Sequence, residues 1–402
     1  MSLASDISDD FWTFTDILLG STHRIQTFLA EGGFGYVAKC EDTRTKKSVA
    51  VKISKNHPTV FHQAQKELAI LKSLQTLDPD KCNIIRWNGS FLHEERICLE
   101  FELLDQSLFD FMEQRCNQPL PIKELRPVVH QLTTALTHLE TVGVIHADIK
   151  PENIMIVNRH QQPLSVKLID FGIACRTSAA GPKSCVQTLW YRAPEVILGL
   201  AVSEAIDIWS LGLVAVELAL GCPLYPAEQE YDLMKFIVET QGQPAEHLLN
   251  YGSRSTSFFH KTSEQPWRFK SPEEFAAETG YHCEETRFFT LSSLDDIEQM
   301  AARLMLRDME EQNELQNLTE LVKKMLQLDA HKRIKPAEVL QHSFFCADQL
   351  TDSDVDSCSL MQTLTTEIAE PQISLQCSSP DAAGDRVASE LITNIKNQST
   401  YY

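Results

Sequence analysis

The sequence predicts an α+β chain, β-rich over its first hundred residues and mainly helical after that. Three observations carry this. Alternating β-branched segments flank a glycine-bearing turn near position 32. From Val60 the apolar period changes from two residues to that of a helix. Beyond Ile122, long amphipathic stretches dominate. The chain has 402 residues, 43% hydrophobic and 23% charged, enough for two lobes or domains.

Taken in order, residues 1–22 are polar and acidic, carry the aromatic cluster Phe11, Trp12 and Phe14, and read as an N-terminal extension. Ile25–Leu29 and Tyr36–Cys40 flank the turn Glu31-Gly32-Gly33-Phe34-Gly35, and Ser48–Ile53 adds a third strand. Between Val60 and Leu74, the residues Ala64, Leu68, Leu71 and Leu74 form one helical stripe with Glu67 beside it. Strands are expected again at 84–91 and 97–101. A long helix follows from Ile122 to Val142, closed by Gly143 as a left-handed cap. Two short strands, 154–157 and 166–169, come after a polar loop. Helices are then expected at 206–220, 231–240 and 315–328. Residues 243–312 are irregular, and after Phe345 an acidic Ser/Asp-rich tail reads as disordered.

Composition narrows the function. A net charge of -20 argues against direct nucleic-acid binding. It suits basic protein substrates or simply a soluble acidic surface, and the second is the simpler explanation. The longest apolar run, Leu211–Leu220, contains Glu217 and is too short to span a bilayer, so no membrane partner is expected. The first residues lack a basic, then apolar, leader. The 11 cysteines are odd in number and irregularly spaced, which predicts reduced thiols.

The polar loop His146-Ala147-Asp148-Ile149-Lys150-Pro151-Glu152-Asn153 places a carboxylate, an ammonium and a carboxamide on one short piece of backbone. That set suits phosphoryl transfer: Asp148 to orient a hydroxyl and take its proton, Lys150 to neutralise phosphate charge, and Asn153 to hold Mg²⁺. Such a loop can also be mere solvated polarity, so the rest of the chain decides. Gly32, Gly33 and Gly35 let backbone amides approach phosphate oxygens. A G-x-G-x-x-G pattern would begin at Ala30, one glycine short, and Val37 can cover a base. Lys52 ends an apolar strand, so its ammonium needs a partner, and Glu67 can supply it. Asp170-Phe171-Gly172 follows a strand 17 residues after Asn153 and can bring a second metal ligand. Glu195 is expected to pair with Arg333, and Asp207 to accept amides of the polar loop.

In their order along roughly residues 23–346, these motifs resemble the protein kinases. The resemblance implies a bilobal kinase fold, with N-lobe 23–104, C-lobe 105–346 and an insert at about 243–312, followed by the tail 347–402. It implies ATP as phosphoryl donor with Mg²⁺ on Asn153 and Asp170, and Asp148, Lys150, Lys52 and Glu67 as the catalytic set. Leu29, Ala30, Glu31, Gly32, Gly33, Phe34, Gly35, Tyr36, Val37, Ala50, Lys52, Phe101, Glu102, Leu104 and Met155 are then the nucleotide-binding positions, with Phe101 as gatekeeper. Lys150 matches serine/threonine kinases. The segments 101–108, 146–148, 204–207 and 240–246 further resemble the homeodomain-interacting protein kinases of the CMGC group. That implies protein substrates, transcription regulators among the partners, and a nuclear or cytoplasmic location.

Ala147, as in the homeodomain-interacting family, replaces the Arg of most kinases, which holds an activation-segment phosphate. The activation segment departs from that family. Cys185 stands where the family has an autophosphorylated tyrosine, and Thr188-Leu189 replaces its Ser-Arg, which puts the family's preference for a following proline in question. A pseudokinase scaffold is the alternative, although all four of Lys52, Asp148, Asn153 and Asp170 are present.

Overall fold

The structure is a computed structural model and describes residues 17–180, 187–261, 267–305 and 309–345. The aromatic cluster at 11–14, Cys185 and the tail 347–402 lie outside the described residues.

The N-terminal lobe is a six-stranded antiparallel sheet: β1 (Leu18–Leu19), β2 (His23–Glu31), β3 (Gly35–Asp42), β4 (Ser48–Ser54), β5 (Trp87–His93) and β6 (Arg96–Glu102), in the order β1-β2-β3-β4-β6-β5. The sheet therefore begins at Leu18, inside the stretch read as an extension, with Leu19 fully buried. Its alternation positions the cleft. Val49, Val51 and Ile53 of β4 point into a core with Ile25, Ala38 and Cys98, while Ala50 and Lys52 face the other way. Helix α1 (Pro58–Leu74) packs across the sheet. Pro58 sits at its first position and the His57 side chain accepts the Thr59 amide. Leu68, Leu71 and Leu74 are buried as the stripe predicts, and Glu67 shares that face.

Residues 84–86 do not join β5. Ile84 instead bridges in parallel to Leu168 and pins the sheet's lower edge to the second lobe.

The second lobe runs through β7 (Gln106–Ser107), α2 (Leu108–Gln114), α3 (Ile122–Thr141), β8 (Val144–Ile145), β9 (Ile154–Ile156), β10 (Val166–Leu168) and β11 (Cys175–Arg176). Gly143 takes φ +63 and ends α3 as expected. Strands β10, β9 and β7 form a small sheet, and β11 pairs with β8. Then come α4 (Pro194–Leu198), α5 (Ala205–Leu220) and α6 (Glu230–Gln241). In α5 every residue except Ala205 and Glu217 is buried, so it is the axis of the lobe. A Cβ on Gly212 would lie 2.9 Å from Leu326 Cδ2 and 3.1 Å from Met325 Cβ, so a larger residue there would make those side chains shift.

The stretch that reads as irregular holds real structure: α7 (Glu246–Tyr251), α8 (Ser255–Phe258), the hairpin β12 (Phe259–Lys261) and β13 (Trp267–Phe269), α9 (Pro272–Thr279) and α10 (Asp296–Met305). Its pieces are too short for periodicity to show. They are ordered by local devices, such as the Ser271–Glu274 capping box and the stacking of Tyr231 against Phe269 and Phe275. Helices α11 (Met309–Met325) and α12 (Pro336–Leu340) complete the lobe. Among the described residues no helix is long and apolar enough to cross a membrane.

Among the described residues, six cysteines are free thiols and Cys175 is disulfide-bonded, a departure from the expected reduced set.

Glu195 and Arg333 meet as the motifs predict, in a bidentate pair at 2.6 and 2.9 Å with side-chain exposures of 3% and 0%. The guanidinium also donates to the carbonyls of Ala205 and Gln327, tying α4, α5 and the α11–α12 turn together. Arg333→Met leaves the Glu195 carboxylate buried and unpaired. It is expected to lower unfolding free energy by about 3–5 kcal/mol in urea denaturation, against well under 1 kcal/mol for a surface control such as Lys332→Met.

Candidate active site

The cleft between the lobes collects the sequence-predicted residues, each placed by its own element. On its roof, Gly32 and Gly35 close the turn between β2 and β3, the Gly32 amide donating to the Gly35 carbonyl at 2.8 Å. A Cβ on Gly35 would sit 2.1 Å from the Ile53 carbonyl, so that glycine is required by packing. Gly32 and Gly33 have no atom within 4 Å of a Cβ position and so present open backbone. Among the described residues, the amides of Gly33 and Phe34 have no partner in the chain. Free amides on an unobstructed turn fit phosphate oxygens. Leu29 and Phe34 are exposed, Ala30 and Val37 face each other across the β2–β3 ladder, and Glu31, paired opposite Tyr36, takes the Lys55 ammonium.

Ala50 lies beside Phe101 across the β4–β6 pair. At the turn into the second lobe, the Glu102 amide is used by the Arg86 carbonyl, whereas no bond to either backbone group of Leu104 occurs among the described residues. A buried residue with a free amide and carbonyl beside the gatekeeper fits the edge of a nucleobase. Met155 lies on β9, between Lys167 of β10 and Ser107 of β7.

Lys52 is where the lobes are joined electrostatically. Its Nζ donates to both Glu67 oxygens at 2.8 and 2.9 Å and to Asp170 Oδ1 at 2.7 Å. Burial opposes the ammonium, but the two carboxylates outweigh it and raise the Lys52 pKa. Burial likewise raises Glu67, with Lys52 working against that. Asp170 also accepts the Gly172 amide at 3.0 Å. The Gly172 carbonyl receives the Gln63 side chain from α1, a contact without a signal in the sequence. Phe171 is buried and packs edge-on against His146.

On the floor, Asp148 Oδ1 accepts the Thr188 hydroxyl at 2.6 Å, and Lys150 donates to that same hydroxyl at 3.0 Å. Asn153 Nδ2 donates to the Asp148 carbonyl and to Oδ2, both at 2.8 Å, which leaves the Asn153 oxygen as a spare acceptor. Among the described residues no three His, Cys, Asp or Glu side chains cluster to hold a metal. A carboxylate and a carboxamide suit Mg²⁺ that completes its shell with phosphate oxygens and water, so Asp170 and Asn153 fit that ion.

Two residues of the site, Ala147 and Asp170, are left-handed, at φ +64 and +60. Such a backbone costs about 1–2 kcal/mol for a residue with a Cβ. Asp207 at the start of α5 offsets the strain at Ala147. Its carboxylate accepts the His146 amide at 2.7 Å and the Ala147 amide at 2.9 Å. His146 Nε2 reaches the Ile169 carbonyl at 2.9 Å and couples this loop to the strand before Asp170.

Besides the Gln63 contact, two further residues are missing from the sequence reading. Lys167, buried on β10, bridges Asp80 and Glu102 and fixes the turn between the lobes. A lysine inside an apolar strand was the available signal, the same one that marks Lys52. Gln187 is the other, and nothing in its polar surroundings singles it out.

The description "protein kinase domain" fits residues 24–345, and the chain belongs to the protein kinase family. Within it the chain is similar to the homeodomain-interacting protein kinases. It is 45% identical to homeodomain-interacting protein kinase 2 of Mesocricetus auratus over 351 residues, 84% of this chain and 30% of that protein. It is 45% identical to kinase 1 of Mus musculus over 348 residues, 84% and 29% respectively. It is 41% identical to kinase 4 of Homo sapiens over 336 residues, 80% and 54%. The chain thus spans about a third to a half of the length of these relatives.

Burial pushes the Asp207 carboxyl up to about 6 from 3.8, against the pull of His146 and the two amides. The folded state therefore holds an extra proton between those values, and this group's contribution to stability is greatest below about pH 4 and is lost as pH rises through 6. Relative to Asp207→Asn, the native protein should lose roughly 3 kcal/mol of stability between pH 4 and 7. A pH-independent difference between the two denaturation curves would contradict this.

Proposed function

We propose that this chain is an ATP- and Mg²⁺-dependent serine/threonine kinase of protein substrates that prefers a proline after the acceptor. The observation that carries the reading is Lys52, held at once by Glu67 and Asp170 across the cleft. An ammonium fixed between a helix carboxylate and a metal-ligand carboxylate is placed to meet nucleotide phosphates.

The reaction moves the γ-phosphoryl group from ATP to a substrate hydroxyl: the bond to the β-phosphate oxygen breaks as the bond to the hydroxyl oxygen forms. Leu104 and Phe101 bind the base, and the amides of Gly33 and Phe34 hold phosphate oxygens. Asp170 and Asn153 would hold Mg²⁺, which neutralises phosphate charge when bound. Asp148 orients the hydroxyl and accepts its proton late, while Lys150 balances charge on the transferring group. The Thr188 hydroxyl already touches both Asp148 and Lys150, which supports a small aliphatic hydroxyl as acceptor.

Proline preference rests on Arg192. Its Nε and Nη2 both donate to the Gln187 carbonyl, at 3.1 and 2.7 Å, one residue before Thr188. A substrate residue with an N–H entering beside this loop finds that acceptor already taken, and proline has no N–H to satisfy. The preference is thereby kept although Leu189 replaces the family's Arg. Transcription regulators as substrates extend the same reading from the homeodomain-interacting names of the relatives, and a nuclear or cytoplasmic location is part of the proposal.

The test is steady-state transfer from labelled ATP-Mg²⁺ to matched Ser-Pro, Ser-Ala and Tyr-Pro peptides. Ser-Pro is expected to lead Ser-Ala by about tenfold in kcat/KM, the worth of one hydrogen bond left unmade. Asp148→Asn should lower kcat by about 10²–10⁴-fold with nucleotide affinity kept. Equal silence of both proteins would favour a scaffold, and a leading Tyr-Pro peptide would overturn the serine/threonine assignment.

A further inference from the structure

Between Gln187 and Ala193 runs the loop that carries the peptide-side contacts. Gln187 itself is 1% exposed. Its carboxamide is fully used: Nε2 donates to the Ile206 carbonyl at 3.0 Å and to Ser210 Oγ at 2.7 Å, and Oε1 accepts the Ala193 amide at 2.8 Å. Ser210 Oγ in turn donates to the Tyr191 carbonyl at 2.8 Å. The backbone carbonyl of Gln187 is the group that Arg192 covers, and a third Arg192 nitrogen reaches Glu230 on α6 at 2.7 Å. One side chain thus ties both ends of the loop to the first turns of α5, beside the Asp207 that holds the catalytic loop.

We propose that Gln187 is a positioning residue that holds this loop in its peptide-binding shape without a phosphate, and so sets selectivity at the residue after the acceptor. The proposal deepens the kinase reading above and rests on it. Its chemistry is suited to constant duty. The clamp is neutral, buried and built into the chain, so neither salt nor a phosphatase removes it. Each polar atom of the carboxamide has a partner, so the network rigidifies the loop and leaves no buried group unsatisfied. It also fixes where the Gln187 carbonyl points, and through that carbonyl the Arg192 guanidinium. A glutamine that only filled space would be replaceable by methionine, which has nearly the same volume and no hydrogen bonds.

Gln187→Met separates these roles. Hydrogen exchange across residues 187–195 is expected to quicken by about tenfold or more, as local opening becomes easier. The Ser-Pro to Ser-Ala ratio of kcat/KM is expected to fall toward one, chiefly through a higher peptide KM, with nucleotide affinity within about twofold of native. Unchanged exchange and ratio would overturn the proposal. So would a general loss of exchange protection and nucleotide binding, the mark of a merely structural residue. Should this variant fail to fold, Ser210→Ala removes one partner of the carboxamide. It is expected to shift both readouts the same way by a smaller factor, and no shift would overturn the proposal. If the native protein phosphorylates no peptide, the kinase reading fails, while the exchange measurement still decides whether Gln187 clamps the loop.

Discussion

Two amide hydrogen bonds to one buried carboxylate fix the geometry on which the rest of the cleft depends. Asp207 accepts the His146 and Ala147 amides and so holds the catalytic loop to α5. Without those bonds the left-handed Ala147 would have nothing to offset its strain, and Asp148 and Asn153 would lose their common frame. The same helix grips the peptide-side loop through Ile206 and Ser210, and Arg333 braces it from beneath. Acceptor geometry is therefore set by a single, almost wholly buried element.

Electrostatics do for the nucleotide side what α5 does for the peptide side. One ammonium, Lys52, answers two carboxylates that come from α1 and from the strand end at Asp170. An unpaired carboxylate buried at Glu67 would be costly, so the position of α1 and the charge of Lys52 are mutually enforced. In the family, an Arg before the catalytic Asp commonly couples this geometry to a phosphate on the activation segment. Here that residue is Ala147, fully buried, and among the described residues the loop from Gln187 to Ala193 is held by the hydrogen bonds of Gln187 and the Arg192–Glu230 ion pair.

Much of this was legible in the sequence wherever chemistry and spacing coincide. The alternation of Val49, Val51 and Ile53 against Ala50 and Lys52 announced both the strand and the face of the cleft. The Lys52–Glu67 and Glu195–Arg333 pairs, and the bonds from Asp207 to the polar-loop amides, follow from motifs whose charges need partners. What was hidden has a physical reason in each case. Leu18 and Leu19 form too short a strand for a periodic signal and were absorbed into a polar extension. Ile84 and Ile85 are as apolar as a strand but bond to Leu168 of β10 instead. The helices and hairpin between 246 and 305 are built from pieces of three to ten residues, stabilised by caps and ring stacking that no period reports. Gln187 was invisible because a buried, satisfied carboxamide and an exposed one look alike in sequence.

The central claim is that the site is assembled without a phosphate on its activation segment. Its most direct test compares two preparations of the same chain: one shown by mass spectrometry to carry no phosphate between Asp170 and Glu195, and one first incubated with ATP-Mg²⁺. The account predicts initial rates on a Ser-Pro peptide that agree within about twofold, since no order–disorder step awaits the modification. A lag in the unmodified preparation that ends only as phosphate enters that segment would contradict it.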